Sequence, residues 1–300
     1  MLSVKNLTKK FKHSVAVDNL SFNVVPGKIF GMLGPNGAGK TTTIRTVLNI
    51  IKPTSGSIIF NGNPITNQFF NQIGYLPEER GLYRRAKVKD VLKYFAELKN
   101  LSSAEAVNTA DKWLAKLKIT HYRNKRIEEL SKGNQQKIQF ITAVFHNPEL
   151  LILDEPFTGF DPINQQEIKE LILSFVSSGK IIILSTHQMD TAEKLCDEIL
   201  LINNGREVTS GDLTDIKKRF GGNNIKLQFS GNGEFLKSLP DVIQYESYSN
   251  YAEVQLSDKI SPSQFLHKIV DKIEIKHFSE IEPTLNKIFI DLIKEQPVQS

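Results

Sequence analysis

A single cysteine, Cys196, stands among the 300 residues, so an internal disulfide is excluded and a reducing compartment is expected. No apolar stretch approaches the ~20 residues that a helix needs to cross a bilayer. The first residues, Met-Leu-Ser-Val-Lys, lack the basic segment and apolar core of a signal peptide. The expectation is a protein that is soluble or is held at a membrane by something else. Lysine and arginine form no dense tract, so direct nucleic-acid binding is not expected. There is no internal repeat, no low-complexity segment and, toward the C-terminus, no metal-ligand cluster.

What is present is ordinary for a globular protein. Apolar residues make up 40% and charged residues 24%, enough for cores without staples, and the length suggests two domains. Charge is unevenly spread. From Gly221 onward there are 8 Lys against 11 Asp and Glu, a net −3, and before it 30 basic against 22 acidic residues, a net +8. Mild positive charge suits phosphate ligands, RNA or an anionic surface without selecting one.

The chain is organised around Gly34-Pro35-Asn36-Gly37-Ala38-Gly39-Lys40-Thr41, which fits the phosphate-binding pattern G-x-x-x-x-G-K-[ST]. Ile29–Leu33 before it reads as a buried strand, and residues 42–51 after it as a helix. A glycine-rich turn between strand and helix aims backbone N–H groups at one point, and the helix N-terminus adds partial positive charge. Lys40 would reach the β- and γ-phosphates of a nucleotide, the N–H of Thr42 would join the cradle, and the Thr41 hydroxyl would bind Mg²⁺.

Further apolar runs at Leu2–Val4, Leu20–Val25, Ser57–Phe60 and Gln72–Leu76 read as strands, with Phe11 in a polar loop, as a packing residue or a base-stacking one. Residues 88–141 carry helical spacing (Val91, Leu92, Phe95; Trp113, Leu114, Leu117) and form an insertion. Leu150–Asp154 and Lys180–Ser185 are continuous apolar runs, as in a parallel sheet covered on both faces. Asn203-Asn204-Gly205 turns a hairpin. After a helix at 213–220 and the linker Gly221–Asn224, strands at 225–229 and 252–256 and helices at 265–273 and 283–293 suggest a small mixed unit. Its final helix carries the stripe Leu285, Ile288, Phe289, Leu292, either self-packed or supporting a dimer. Residues 296–300 should fray.

Asp154 and Glu155, at the end of an apolar strand, suit nucleotide hydrolysis: Asp154 would hold Mg²⁺, directly or through water, and Glu155 would polarise the attacking water. Taken with these residues, five segments in order make the chain resemble the ATP-binding subunit of an ATP-binding cassette (ABC) transporter, over about residues 1–215. Phe11 is placed like the aromatic that stacks on adenine. Tyr75-Leu-Pro-Glu78 takes the place of the glutamine-bearing loop. Leu130-Ser-Lys-Gly-Asn-Gln135 resembles the signature LSGGQ, Gly159-Phe-Asp161 the loop after the catalytic acid, and His187 the switch histidine.

That resemblance implies an α/β P-loop NTPase of the ABC type: a mixed sheet with a helical subdomain (about 86–145) in residues 1–218, and a small α+β domain in 219–300. It implies ATP and Mg²⁺ as cofactors, and a head-to-tail dimer, expected to be a homodimer, with ATP sandwiched. Ser131, Gly133 and Asn134 of the signature, and Asp161, would act on the partner's nucleotide, although Ser131 and Asp161 are equally natural helix N-caps. Glu155 and His187 are the catalytic candidates, and Thr41, Glu78 and Asp154 the metal candidates. Lys132, Asn134 and Glu78 depart from the family pattern. The segments at 76–83 and 131–136 and the C-terminal helix are similar to those of bacterial sodium-extrusion and antibiotic- or peptide-export ATPases. The function so implied is ATP hydrolysis powering export through a separate permease, from the cytoplasmic face of the cell membrane. The alternative is a soluble ABC ATPase acting on ribosomes or DNA.

Overall fold

The computed structural model describes residues 1–79, 81–221 and 223–295. Arg80, Gly222 of the glycine linker and the tail 296–300, expected to fray, lie outside the described residues. The chain divides into two compact units, Met1–Ser210 and Gly211–Ser300.

The first unit opens with strands β1 (Leu2–Phe11), β2 (Ser14–Val24) and β3 (Ile29–Leu33), then helix α1 (Lys40–Val47), β4 (Ser55–Phe60), the two-residue β5 (Asn63–Pro64) and β6 (Ile73–Leu76). Three helices follow: α2 (Val88–Leu98), α3 (Ser103–Lys116) and α4 (Lys132–Val144). The chain then alternates through β7 (Leu150–Asp154), α5 (Pro162–Ser177), β8 (Ile181–Thr186), α6 (Met189–Leu195), β9 (Glu198–Asn203) and β10 (Arg206–Asp212).

Two sheets result. One is antiparallel, in the order β2-β1-β4-β5. The other has the order β10-β9-β3-β8-β7-β6, with β9, β3, β8, β7 and β6 parallel. One core joins them, drawing on Leu20 and Phe60 of the first sheet, Met32 and Ile183 of the second, and Ile44 and Val47 of α1. The continuous apolar strands β7 and β8 are buried at every residue, as a parallel sheet covered on both faces requires. The β9–β10 turn has Asn204 at φ 49° and Gly205 at φ 77°, the two left-handed residues of a tight hairpin matched to strand twist.

Two local expectations are corrected. Phe11 is not in a loop: β1 runs on to it and pairs it with Ser14, because the hairpin supplies partners for backbone groups that the polar sequence did not advertise. Helix α1 starts at Lys40 and ends at Val47, before Ile51, because Asn49 takes a left-handed conformation (φ 55°), which asparagine tolerates and a helix does not.

The second unit holds α7 (Leu213–Phe220), β11 (Asn223–Ser230), β12 (Val242–Ser247), β13 (Ala252–Leu256), α8 (Pro262–Ile269), β14 (Glu274–Glu280) and α9 (Leu285–Glu295). Its antiparallel sheet has the order β12-β13-β11-β14, over a core that includes Leu227, Val254, Phe265 and Ile269. Helix α8 starts early because Ser261 caps it, in a reciprocal box with Gln264, and Pro262 takes its first position. In α9, Leu285 and Ile288 are buried within the protomer, so that part of the apolar stripe is not free to face a second copy.

One buried cluster sets a pH dependence. Lys99 Nζ donates to the carbonyl oxygens of Phe70 and, at 2.9 Å, Ile73, and His146 Nε2 meets the same Ile73 oxygen at 3.1 Å. Burial lowers the Lys99 pKa from 10.5 to about 8. Burial, then the charge of Lys99, lowers that of His146 from 6.5 to about 4. The unfolded chain therefore holds an extra proton in two windows, pH 4 to 6.5 and pH 8 to 10.5, and stability rises with pH through each. After allowance for screening, each rise is expected to be about 2 kcal/mol. Urea unfolding across pH checks this: Lys99→Met should flatten the alkaline rise, and curves that stay parallel to the wild type above pH 8 would refute the assignment.

Candidate active site

Strands β3, β8 and β7 lie side by side, with Leu33 opposite Thr186 and Ser185 opposite Asp154. Their carboxyl ends open on one edge, where open α/β sheets bind ligands. The glycine loop leaves β3 there and enters α1 with Gly39 as the N-cap residue. A Cβ on Gly34 would come 2.2 Å from the Ile202 oxygen, and one on Gly39 would come 2.4 Å from the Ala16 oxygen, so the loop is wedged between β9 and β2.

Lys40 is 6% exposed. Its ammonium donates to the Gly34 oxygen at 2.7 Å and the Pro35 oxygen at 3.1 Å. Burial lowers its pKa, against the opposing fields of Glu155, Asp154 and Glu78. The loop's own carbonyls thus hold the cation at the cleft floor.

Both acids are buried. Asp154 accepts from Ser185 Oγ at 2.8 Å and Thr41 Oγ1 at 3.1 Å, and burial pushes its carboxyl above the usual range against those two bonds. Glu155 has a left-handed backbone (φ 50°), a conformation that costs energy and gathers at functional sites. Its carboxylate accepts from Thr186 Oγ1 at 3.1 Å and from His187 N at 2.8 Å. It also meets His187 Nδ1 at 2.7 Å. An acceptor-only carboxylate places the proton on Nδ1, so His187 orients Glu155.

A cleft of about 340 Å³ collects Asn36, Lys40, Thr41, Glu78, Asp154 and Glu155, with Gly37, Gly39 and Thr42 of the loop. Ala16, which the sequence did not single out, also lines it. Pro35 and Ala38 belong to the loop's frame: Ala38 N donates to the Pro35 oxygen at 3.1 Å. Phe11 is half-exposed at the end of β1 with Lys9 Nζ 5.0 Å from its ring centre, and is not among the cleft residues.

The signature residues and Asp161 form a second cluster. Ser131 caps α4 and accepts from Asn134 N at 3.3 Å. Asp161 caps α5, accepting from Asn164 N at 2.9 Å, and that backbone donor holds its carboxyl below the usual range. A Cβ on Gly133 would lie 3.6 Å from Phe160 and 3.9 Å from Asn164, so the two helix starts sit together. Lys137 and Glu167 pair at 2.5 Å between the same helices. The sequence reading missed Ser185 and Thr186 as carboxylate clamps. Two hydroxyls ending an otherwise apolar strand were the available signal.

Known proteins match this architecture. Residues 17–158 fit the family model described as ABC transporter, and residues 211–293 fit that described as ATP-binding protein DrrA1-3-like, C-terminal domain. The uncharacterized ABC transporter ATP-binding protein YhaQ of Bacillus subtilis (strain 168) is 43% identical over 293 residues, 98% of each chain. The linearmycin resistance ATP-binding protein LnrL of the same organism is 32% identical over 304 residues, 97% of this chain and 98% of that one. A solved ATP binding subunit of an ABC transporter superposes with a TM-score of 0.68 at 31% identity, covering 73% of this chain and 93% of its own. With its phosphate loop, paired acids and oriented glutamate on a shared edge, the chain belongs to the ATP-binding subunits of ABC transporters and is an ATPase.

Proposed function

We propose that this subunit powers an exporter. Two copies pair head to tail, each binding ATP in the glycine-loop cleft and covering the partner's nucleotide with Ser131, Gly133, Asn134 and Asp161. Lys40 and the loop amides hold the phosphates, and Phe11 stacks on the base. Glu155, held by His187 and Thr186, takes a proton from the attacking water. The observation that carries this reading is the Glu155–His187 contact of 2.7 Å beside the phosphate loop, a base oriented by a third group.

The donor set fits Mg²⁺. Thr41 Oγ1 and an Asp154 oxygen converge at 3.1 Å, and Glu78 shares their cleft. These are hard oxygen ligands of the kind that hold this ion together with water and substrate phosphates. Bound there, the ion would neutralise charge on the β- and γ-phosphate oxygens.

Among the described residues no helix is long and apolar enough to cross a membrane; the proposed partner is a membrane permease, with this subunit docked on its cytoplasmic side. The exposed aromatics Tyr83 and Tyr94, 5.7 Å apart at the helical insertion, offer a docking surface beside the Glu78 loop. The name of LnrL, a resistance protein, supports export as the direction. Glu155→Gln with ATP and Mg²⁺ should trap the closed dimer, and purification from native membranes is expected to bring a multi-span membrane protein with it. Replacing Tyr83 and Tyr94 by serine should reduce that yield by about tenfold. Recovery of ribosomal proteins or nucleic acid, with no membrane protein, would overturn the proposal.

A further inference from the structure

Helix α4 buries three polar side chains, Gln136, Lys137 and Gln139. Gln139 is the unusual one. It is 3% exposed, and its Nε2 donates to the Pro77 oxygen at 3.3 Å and the Glu79 oxygen at 3.0 Å. These carbonyls flank Glu78, so one amide grips both sides of the residue that enters the nucleotide cleft. Two acceptors fix which end of the amide faces them. The other end, Oε1, is buried without a hydrogen-bond partner among the described residues. An orphaned buried acceptor is costly, so the position is poorly explained as core filling and well explained as a grip.

The grip extends a longer contact. Near the C-terminal end of α4, His146 Nε2 meets the Ile73 oxygen at 3.1 Å. Next, Gly74 passes so close that a Cβ there would lie 2.1 Å from the Ala143 oxygen. Then Gln139 reaches Pro77 and Glu79. Strand β6, its following loop and α4 therefore run alongside each other in opposite directions and hold together at three levels. About 12 Å along the helix axis from Gln139 lies its N-cap, Ser131.

We propose that Gln139 is a positioning residue that fixes Glu78 to the signature helix. The placement of Glu78 in one nucleotide cleft is thereby tied to the Ser131 end that meets the partner's nucleotide. The functional consequence rests on Glu78 acting at the Mg²⁺ of its own cleft, whereas the tie itself does not.

The test uses the full chain with Gln139→Met, which keeps length and approximate volume and removes the donor. Cleavage by a glutamate-specific protease after Glu78 and Glu79, both exposed, is expected to speed up about tenfold, the loss of one or two hydrogen bonds that pin the loop, while amide exchange in the Lys137–Phe145 stretch of α4 stays slow. The Mg²⁺ concentration for half-maximal ATPase should rise about fivefold, and nucleotide affinity in EDTA should not change. In a Glu78→Ala background, Gln139→Met should add nothing further to the Mg²⁺ effect. Gln139→Lys, which keeps a donor facing both carbonyls, should restore protection.

Unchanged cleavage at Glu78 and Glu79, or no recovery with lysine in a folded protein, would overturn the tie. Raised cleavage with additive Mg²⁺ effects would overturn the route through Glu78. If Glu78→Ala alone leaves the Mg²⁺ dependence unchanged, it is the reading of Glu78 that fails, and cleavage still decides the tie.

Discussion

Replacing Glu155 with glutamine is expected to lower steady-state ATP turnover by about 10²- to 10³-fold, the usual worth of a general base, and to leave ATP binding intact. The structure indicates why the two effects separate. Glutamine keeps the shape of glutamate, and its carbonyl oxygen can accept from His187 N, as Glu155 Oε1 does at 2.8 Å. The amide NH₂ then takes the place of Oε2, and the Thr186 hydroxyl, which donates to that oxygen at 3.1 Å, can rotate to accept. Folding stability should therefore change little. What is lost is proton affinity: an amide does not take a proton from water near pH 7. Lys40 and the loop amides still meet the phosphates, so nucleotide should accumulate unhydrolysed and hold the dimer closed. Turnover within threefold of the wild type would remove Glu155 from the role of base.

The sequence exposed the chemistry that is local. A strand, a glycine turn and a lysine lie within a dozen residues of each other, and an apolar run ending in Asp154-Glu155 carries its own meaning. It could not show that Ser185 faces Asp154, because that pairing depends on β7 and β8 becoming neighbours across the whole of α5. Nor could it show how His187 is used. Its Nδ1 meets Glu155 at 2.7 Å only because β8 lies beside β7.

The elements left unread or undecided have equally plain causes. Strands β12 and β14 lie at the edges of their sheet, where one side faces water and polar residues such as Gln244, Glu246 and His277 dilute the alternation that marks a strand. Gln139 looks like a surface residue because a polar side chain on a helix usually is one. Only the loop brought against it, from 62 positions earlier in the chain, gives it a partner. The C-terminal stripe points the other way: apolar periodicity reports that a face is buried but not what buries it, and Leu285 and Ile288 are covered within the protomer.

Lys40→Ala is expected to weaken ATP binding by about 100-fold, or roughly 2.7 kcal/mol, and to bring turnover below Glu155→Gln. The argument is electrostatic. Asp154, Glu155 and Glu78 all act on Lys40, so the cleft that must take a polyanion contains three carboxylates and one ammonium. Without that ammonium the phosphates meet side chains of one sign, relieved by the loop amides, the start of α1 and whatever Mg²⁺ the nucleotide carries. Arginine should not rescue: the Lys40 cation sits 2.7 Å from the Gly34 oxygen inside the loop, and a planar fork needs room that the wedged glycines do not leave. Stability should fall far less than affinity, since removing Lys40 also removes the desolvation cost that lowers its pKa. Titration with ATP at fixed Mg²⁺, beside a thermal melt without nucleotide, separates the two. Affinity within fivefold of the wild type would mean that the loop amides, and not the lysine, carry phosphate binding.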